Sequence, residues 1–286
     1  MSVTTHERPG VYSEYDASSV VQGRQGRKMV GMAAIHATAP AGVPQTVTSY
    51  EGALIAFGST GGQDMTELIR LALKNGAAGV VAVPVADEEG YEAAFAALAA
   101  MDDIGVVICD SVDREVQQSL RDSAAASAAR RERIAVAAGG AGETVTELLE
   151  RAKALNSERV VLVAPGGTDE EGKAVSGLSL AAAVAGAIAG TTDPALPLGG
   201  AVLSGLYGLE TTYGDNDLDL LIRGGVTPAE RTGGVTSVVR GVTTRTTTDG
   251  TADTTWRELS TILVVDDVIP GIRSALRSKF HRAKNT

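Results

Sequence analysis

The sequence predicts an α/β fold: a mostly parallel sheet flanked by helices on both sides. Three observations carry this. From Arg27 onward, short runs of Val, Ile, Leu and Ala alternate with helical patterns. The runs are continuously apolar, so both faces of each strand are covered. Repeated strand–helix order with buried strands implies parallel pairing, because parallel neighbours need a crossover.

Taken in order, RKMVGMAAIHA reads as a strand. YEGALIAFG and DMTELIRLALKNG read as helices, the second stopped by Gly76. Four strand–helix pairs follow: AGVVAVPV with EGYEAAFAALAAM, IGVVICD with VDREVQQSLRDSAAASAARRE, RIAVAAG with ETVTELLERAKALN, and RVVLVAPG with LSLAAAVAGAIAG. After about Gly233 the style changes. GVTSVVRGVTTRTTTDGTADTTWREL is rich in Thr and Val around Asp249-Gly250, a hairpin signal. STILVVDDVIPGIRSALRSKFHRAKNT then reads as an amphipathic helix that Pro270 starts or kinks. Residues 1–26 are polar, carry Pro9 and hold one extended-looking run, GVYSEYDASSVV. The expected division is an extended arm over 1–26, an α/β core over 27–232, and the start of a partial α+β unit over 233–286.

The bulk numbers set limits. A chain of 286 residues can bury a full core, in one large domain or two smaller ones. Aromatics are only 3% and Gly reaches 34, so the core must pack closely through small side chains. A net charge of −10 speaks against nucleic acid or an anionic membrane as partner of the whole chain. The opening MSVTTHERPG has no apolar segment of the signal-peptide kind. LSLAAAVAGAIAG is too short to span a bilayer, which takes about 20 apolar residues. The single Cys109 lies in an apolar run and reads as a core thiol rather than a nucleophile. His6, His36 and His281 are scattered and offer no zinc spacing.

Five stretches raise a chemical alternative. Gly167-Thr-Asp-Glu-Glu-Gly172-Lys173-Ala174 is one residue from a phosphate-binding loop. Ala174 removes the hydroxyl that would hold Mg²⁺, and Asp169, Glu170 and Glu171 repel phosphate. The plainer account is a polar, solvated loop between a strand and a helix. GGAGET resembles half of a dinucleotide fingerprint, but Val145 stands where a third Gly is needed, so a tight turn before a helix near Glu143 is expected. GDNDLDL suggests a calcium loop but lacks its Gly (Leu220) and its terminal acid (Val226); an acidic helix start explains it. SGLSLAAAVAGAIAG resembles the serine-bearing helix of subtilisin-like proteases, with Ser179 on the nucleophile position. VVICDSVD resembles that family's aspartate strand, with Asp110 on it. No His lies between His36 and His281, so Ser179 has no general base.

The end of the chain is basic. From Pro270 to Thr286 there are five Lys/Arg and no acid. On a helix, Arg273, Arg277 and Lys284 fall within about 40° of one another, beside Ile269, Ile272, Leu276 and Phe280. Such an end either complements its own helix dipole or docks on an acidic partner.

Together, ERPGVYSEYDAS, VVLVAPG, AAAVAGAIAGTTDPALPLGGAVL, LDLLIRGGVTPAE, VVRGVTTRT, TTWRELSTILVVDDVI, IRSALRSKF and AKNT resemble the contractile tail sheath family of phages and related injection machines. The family's core is subtilisin-like, which accounts for the Ser179 helix without catalysis. The resemblance implies a non-enzymatic structural subunit with no catalytic residue, cofactor or metal. Its partners would be other sheath subunits, an inner tail-tube protein and a baseplate, with no nucleic acid and no membrane insertion. Its place would be a virion tail or injection particle assembled in the bacterial host cytoplasm. It further implies that extended arms add strands to neighbouring subunits, with Pro9, Gly10, Val11, Tyr12 and Tyr15 in the amino-terminal arm. Arg273, Arg277 and Lys279 become candidate tube contacts. Family members usually continue past the Ala-Lys-Asn-Thr run, so the carboxy-terminal unit is expected to be truncated here. The alternative is a soluble α/β nucleotide-binding or hydrolytic enzyme.

Overall fold

The computed structural model describes residues 28–128 and 130–280, with side chains through 276. The arm residues Pro9, Gly10, Val11, Tyr12 and Tyr15 lie outside the described residues. The first half runs β1 (Met29–Ile35), β2 (Gln45–Val47), α1 (Tyr50–Phe57), α2 (Met65–Lys74), β3 (Val80–Val85) and α3 (Tyr91–Ala99). It continues through β4 (Ile104–Cys109), α4 (Arg114–Ser127), β5 (Ile134–Ala138), α5 (Val145–Leu155) and β6 (Val160–Ala164). A small antiparallel sheet follows, from β7 (Gly167–Thr168), β8 (Ala174–Val175) and, later, β10 (Gly208–Leu209). The rest is α6 (Leu178–Gly190), β9 (Val202–Leu203), α7 (Asp215–Arg223), β11 (Val226–Thr232), β12 (Val235–Val238), the hairpin β13 (Thr247–Thr248) and β14 (Thr251–Ala252), and α8 (Leu259–Phe280).

The main sheet has the order β2-β3-β1-β4-β5-β6-β11-β12-β9. The six strands β3, β1, β4, β5, β6 and β11 are parallel. Antiparallel β2 closes one edge, and the β11–β12–β9 meander closes the other. Every residue of β3, β4, β5 and β6 is buried, as continuous apolar runs require. Alternate side chains feed two cores. Val30, Met32, Val106, Ile108 and Val136 pack with α1, α2, α6 and the first turns of α8. Ala33, Val81, Val107, Ala135 and Leu162 pack with α3, α4, α5 and α7 on the opposite face.

Local chemistry sets the helix starts. Asp64, Asp113 and Thr144 each accept a bond from a first-turn amide, and Thr144 with Glu147 forms a capping box. α5 therefore begins at Val145, two residues after the expected start. Asp249 and Gly250 both have positive φ, 50° and 78°, which two-residue hairpins need.

The small-residue run of α6 permits a close crossing. A Cβ on Gly186 would lie 2.2 Å from the Ala72 carbonyl oxygen, and one on Gly190 would lie 2.8 Å from Gly76 Cα. Backbone meets backbone here, so only glycine fits.

Two expectations change. Pro270 lies inside α8 and does not start it. The stretch after β6 is a hairpin, β7–β8, rather than a loop leading straight into a helix. The expected division at 232/233 falls next to Gly233 and Gly234, in the turn between β11 and β12. Beyond it, Val238, Leu259, Ile262 and Leu263 join the core that holds α2 and α6.

Candidate functional site

In an open α/β sheet, ligands bind beyond the carboxyl ends of the strands where the strand order reverses. Here that point is β1, flanked by β3 and β4. Asp110 closes it. One carboxylate oxygen accepts the Ile35 amide at 2.9 Å, and the other accepts the Tyr91 hydroxyl. Burial is the main reason this carboxyl is held above its ordinary range, against the opposing effect of those bonds. The Tyr91 hydroxyl is pushed up by burial and by Asp110. Asp110 is thus a strand-to-strand brace with its acceptors in use.

Ser179 sits in the first turn of α6. Its partner is Gln63, just ahead of α2. The Gln63 amide donates to Ser179 Oγ at 3.0 Å and to the Ser176 carbonyl at 2.8 Å. The Ser176 hydroxyl donates back to Gln63 Oε1 at 2.8 Å. A carboxamide does not take up a proton at neutral pH, so this pair cannot generate an alkoxide. His36 is committed to its own turn. Its Nδ1 accepts the Ala39 amide at 2.9 Å, so Nε2 carries the proton and donates to the Phe57 carbonyl at 2.8 Å. Cys109 is buried, and burial pushes its thiol up to about 12.

Several amides that could cradle an anion are satisfied from within. In the hairpin, the Lys173 amide bonds Asp169 Oδ1 at 2.7 Å and the Asp169 amide bonds the Lys173 carbonyl at 2.9 Å. At the ends of β5 and β6, the Gly142 and Gly166 amides donate at 2.9 and 3.0 Å to the two carboxylate oxygens of Glu210. Glu210 occupies the place a bound anion would take, and it blocks that place by charge. The acidic stretch Asp215, Asp217 and Asp219 lies on α7, with the first two in its first turn. Among the described residues no cluster of His, Cys, Asp or Glu has metal-holding geometry, and no helix is long and apolar enough to cross a membrane. Gln63 and Glu210 carry no sequence signal, because their partners lie 113 and 116, and 44 and 68, residues away.

The opposite edge, at the amino ends of β1 and β4, is different. A cavity of about 700 Å³ opens there, bordered by Lys28, Asp103, Arg131, Glu132, Asp266 and Pro270 among others. α8 crosses it. Asp266, with its side chain 2% exposed, takes both oxygens to Arg159 Nη1 at 2.6 and 2.5 Å. Burial raises the Asp266 carboxyl, and the bond to Arg159 opposes that shift. One turn past Pro270, Arg273 Nη1 lies 2.5 Å from Oε1 of Glu132, whose side chain is 6% exposed. Arg277 and Lys279 continue the helix; their side chains lie outside the described residues. The structure does not bring Arg273 to the Ser179 region: Arg273 is at the amino edge, while Ser179 packs beside the carboxy-edge hairpin at Thr168.

Comparison with known proteins agrees with the fold. The sheath tail protein of Desulfitobacterium hafniense superposes with a TM-score of 0.71 at 14% identity, over 97% of this chain and 85% of that one. The helical sheath of the anti-feeding prophage in its contracted state gives 0.70 at 19% identity, over 99% and 79%. The sheath of the extracellular contractile injection system PVC, also contracted, gives 0.69 at 14% identity, over 99% and 78%. No curated protein sequence matches the chain. The likenesses at these identities establish the fold. The profile of the family described as phage tail sheath protein central domain matches residues 85–244, more than half of the chain. Carrying that family's central domain over more than half of its length, the chain belongs to the phage tail sheath protein family.

Proposed function

We propose that this chain is a non-enzymatic structural subunit that polymerises around an inner tube and contracts to drive the tube through a target envelope. The observation that carries the reading is the family match over residues 85–244, on a body whose Ser179 faces a carboxamide rather than a base. In this reading residues 1–26 form an arm, 27–232 the rigid core, and 233–286 the start of a further unit whose first turns pack on that core. Pro9, Gly10, Val11, Tyr12 and Tyr15 add strand to a neighbouring copy; backbone bonds give such a link strength while the cores move as rigid bodies. Arg273, Arg277 and Lys279 face an acidic tube surface, Arg273 being paired with Glu132 in the isolated chain. Other sheath subunits, the tube protein and a baseplate are the partners, in a tail or injection particle assembled in the bacterial cytoplasm.

Electron microscopy of the intact protein with its tube partner tests this, with tubes or rings as the expected product. Particles that stay single with the tube present would overturn it. A serine-directed fluorophosphonate is expected to leave Ser179 unlabelled, and nucleotides to leave the melting temperature unchanged. Labelling of Ser179 or stabilisation by a nucleotide would favour the enzyme alternative.

A further inference from the structure

α8 changes character at Pro270. Before it, Leu259, Ile262, Leu263 and Asp266 are buried. After it, Gly271, Ile272, Ser274 and Leu276 are exposed, and a Cβ on Gly271 would meet nothing within 4 Å. Proline has no N–H, so the helix lacks the bond from position 270 to the Asp266 carbonyl. Gly271 adds conformational freedom at the next residue. Two ion pairs straddle this weak point. Arg159–Asp266 lies on the buried side, and Glu132–Arg273 on the exposed side. The second is, among the described residues, the one ion pair made by residues 267–276. It is also the looser of the two: Arg273 is 34% exposed, and the contact to Glu132 Oε1 lacks hydrogen-bond geometry. Apolar packing does not hold this half either, since Ile272 and Leu276 are each about half exposed, at 52% and 48%.

We propose that Glu132 is a positioning residue that latches the distal half of α8 to the amino edge, with Pro270-Gly271 as the hinge. An acidic partner surface that captures Arg273 replaces Glu132 and frees the distal half to swing, exposed apolar stripe included. The identity of that competitor rests on the proposed tube contact; the latch itself does not.

Hydrogen exchange by mass spectrometry on the intact isolated chain tests the latch. Glu132→Gln is expected to speed exchange of the 271–280 amides by about fivefold, the scale of one partly exposed ion pair. Exchange in 259–266 and in β4 and β5 stays unchanged. The reversed pair Glu132→Arg with Arg273→Glu restores slow exchange, which loss of packing volume alone would not. Pro270→Ala added to Glu132→Gln also slows exchange, by returning the missing helix bond. Unchanged exchange in Glu132→Gln, or acceleration spread through the strands, overturns the latch. A double variant, Pro270→Ala with Glu132→Gln, that exchanges as fast as Glu132→Gln alone overturns the hinge. Because no tube protein is present, failure here leaves the tube contact standing, and failure of tube binding leaves this result standing.

Discussion

Gly186→Ala sets two physical effects against each other. Gly186 lies in the interior of α6, where alanine is favoured over glycine by about 1 kcal/mol on helix propensity alone. Against this, the new Cβ would sit 2.2 Å from the Ala72 oxygen and 3.0 Å from Ala72 C and Cα. A carbon–oxygen contact settles near about 3.3 Å, so α2 and α6 must part by roughly 1 Å. Backbone cannot rotate away as a side chain would. A gap of that size forfeits about a quarter to a half of the dispersion attraction along the seam, and overpacking of this kind costs about 3 kcal/mol. The net loss is about 2 kcal/mol, a fall in Tm of roughly 3 °C for a chain of 286 residues. Thermal melts by circular dichroism read it directly. The control is Gly271→Ala, also helical but with no atom within 4 Å of the new Cβ, which is expected not to lower the Tm. If Gly186→Ala melts at or above the wild type, the close crossing is not what holds α6 in place.

Other outcomes follow from the ion pairs and titrating groups. Asp266→Asn leaves the Arg159 guanidinium, 12% exposed, without its anion; a loss of about 3 kcal/mol is expected in urea melts, and equal stability would refute the pair's role. Burial raises the Asp110 carboxyl, so the folded chain takes up a proton before the unfolded chain as pH falls. The contribution of this group to stability therefore rises from neutral pH toward the ordinary carboxylate range and levels off below it. In Asp110→Asn that rise is absent, and parallel stability curves for the two proteins across this range would contradict it. Asp253 has the opposite sign. The Thr248 hydroxyl at 2.6 Å and Thr255, through its amide at 2.9 Å, hold its carboxyl down to about 2. Its hold on the β13–β14 hairpin is present above the ordinary carboxylate value and is lost as pH falls through about 2. A carboxyl carbon titration by NMR that gave an ordinary midpoint would sink this account.

The legible parts of the chain are those whose cause is local. AGVVAVPV, IGVVICD and RVVLVAPG read as strands buried on both faces because an apolar run without alternation leaves no face for water. Asp64, Asp113 and Thr144 mark helix starts because a short polar side chain there satisfies an orphan amide. Asp249-Gly250 marks a hairpin because its turn needs positive φ. Pro270 was harder to place, since the same residue can open a helix or sit inside one that packing sustains. The missing base for Ser179 was also readable, as a count of histidines. What replaces it was not.

Gln63 reaches Ser179 across 116 residues, and Glu210 reaches Gly142 and Gly166 across 68 and 44. Nothing periodic announces such pairs, because they depend on which loops the strand order brings to the same edge. Arg273 illustrates the point best. As a letter in a basic helix it is free to bind any acid; in the folded chain Glu132, from the segment ahead of β5, already has it. Composition and periodicity determined the layers, the parallel sheet and the small-residue helix, since those follow from burying apolar surface. Only the tertiary structure decided which charges are spent inside the molecule and which remain for a partner, because a charge is satisfied by proximity in space.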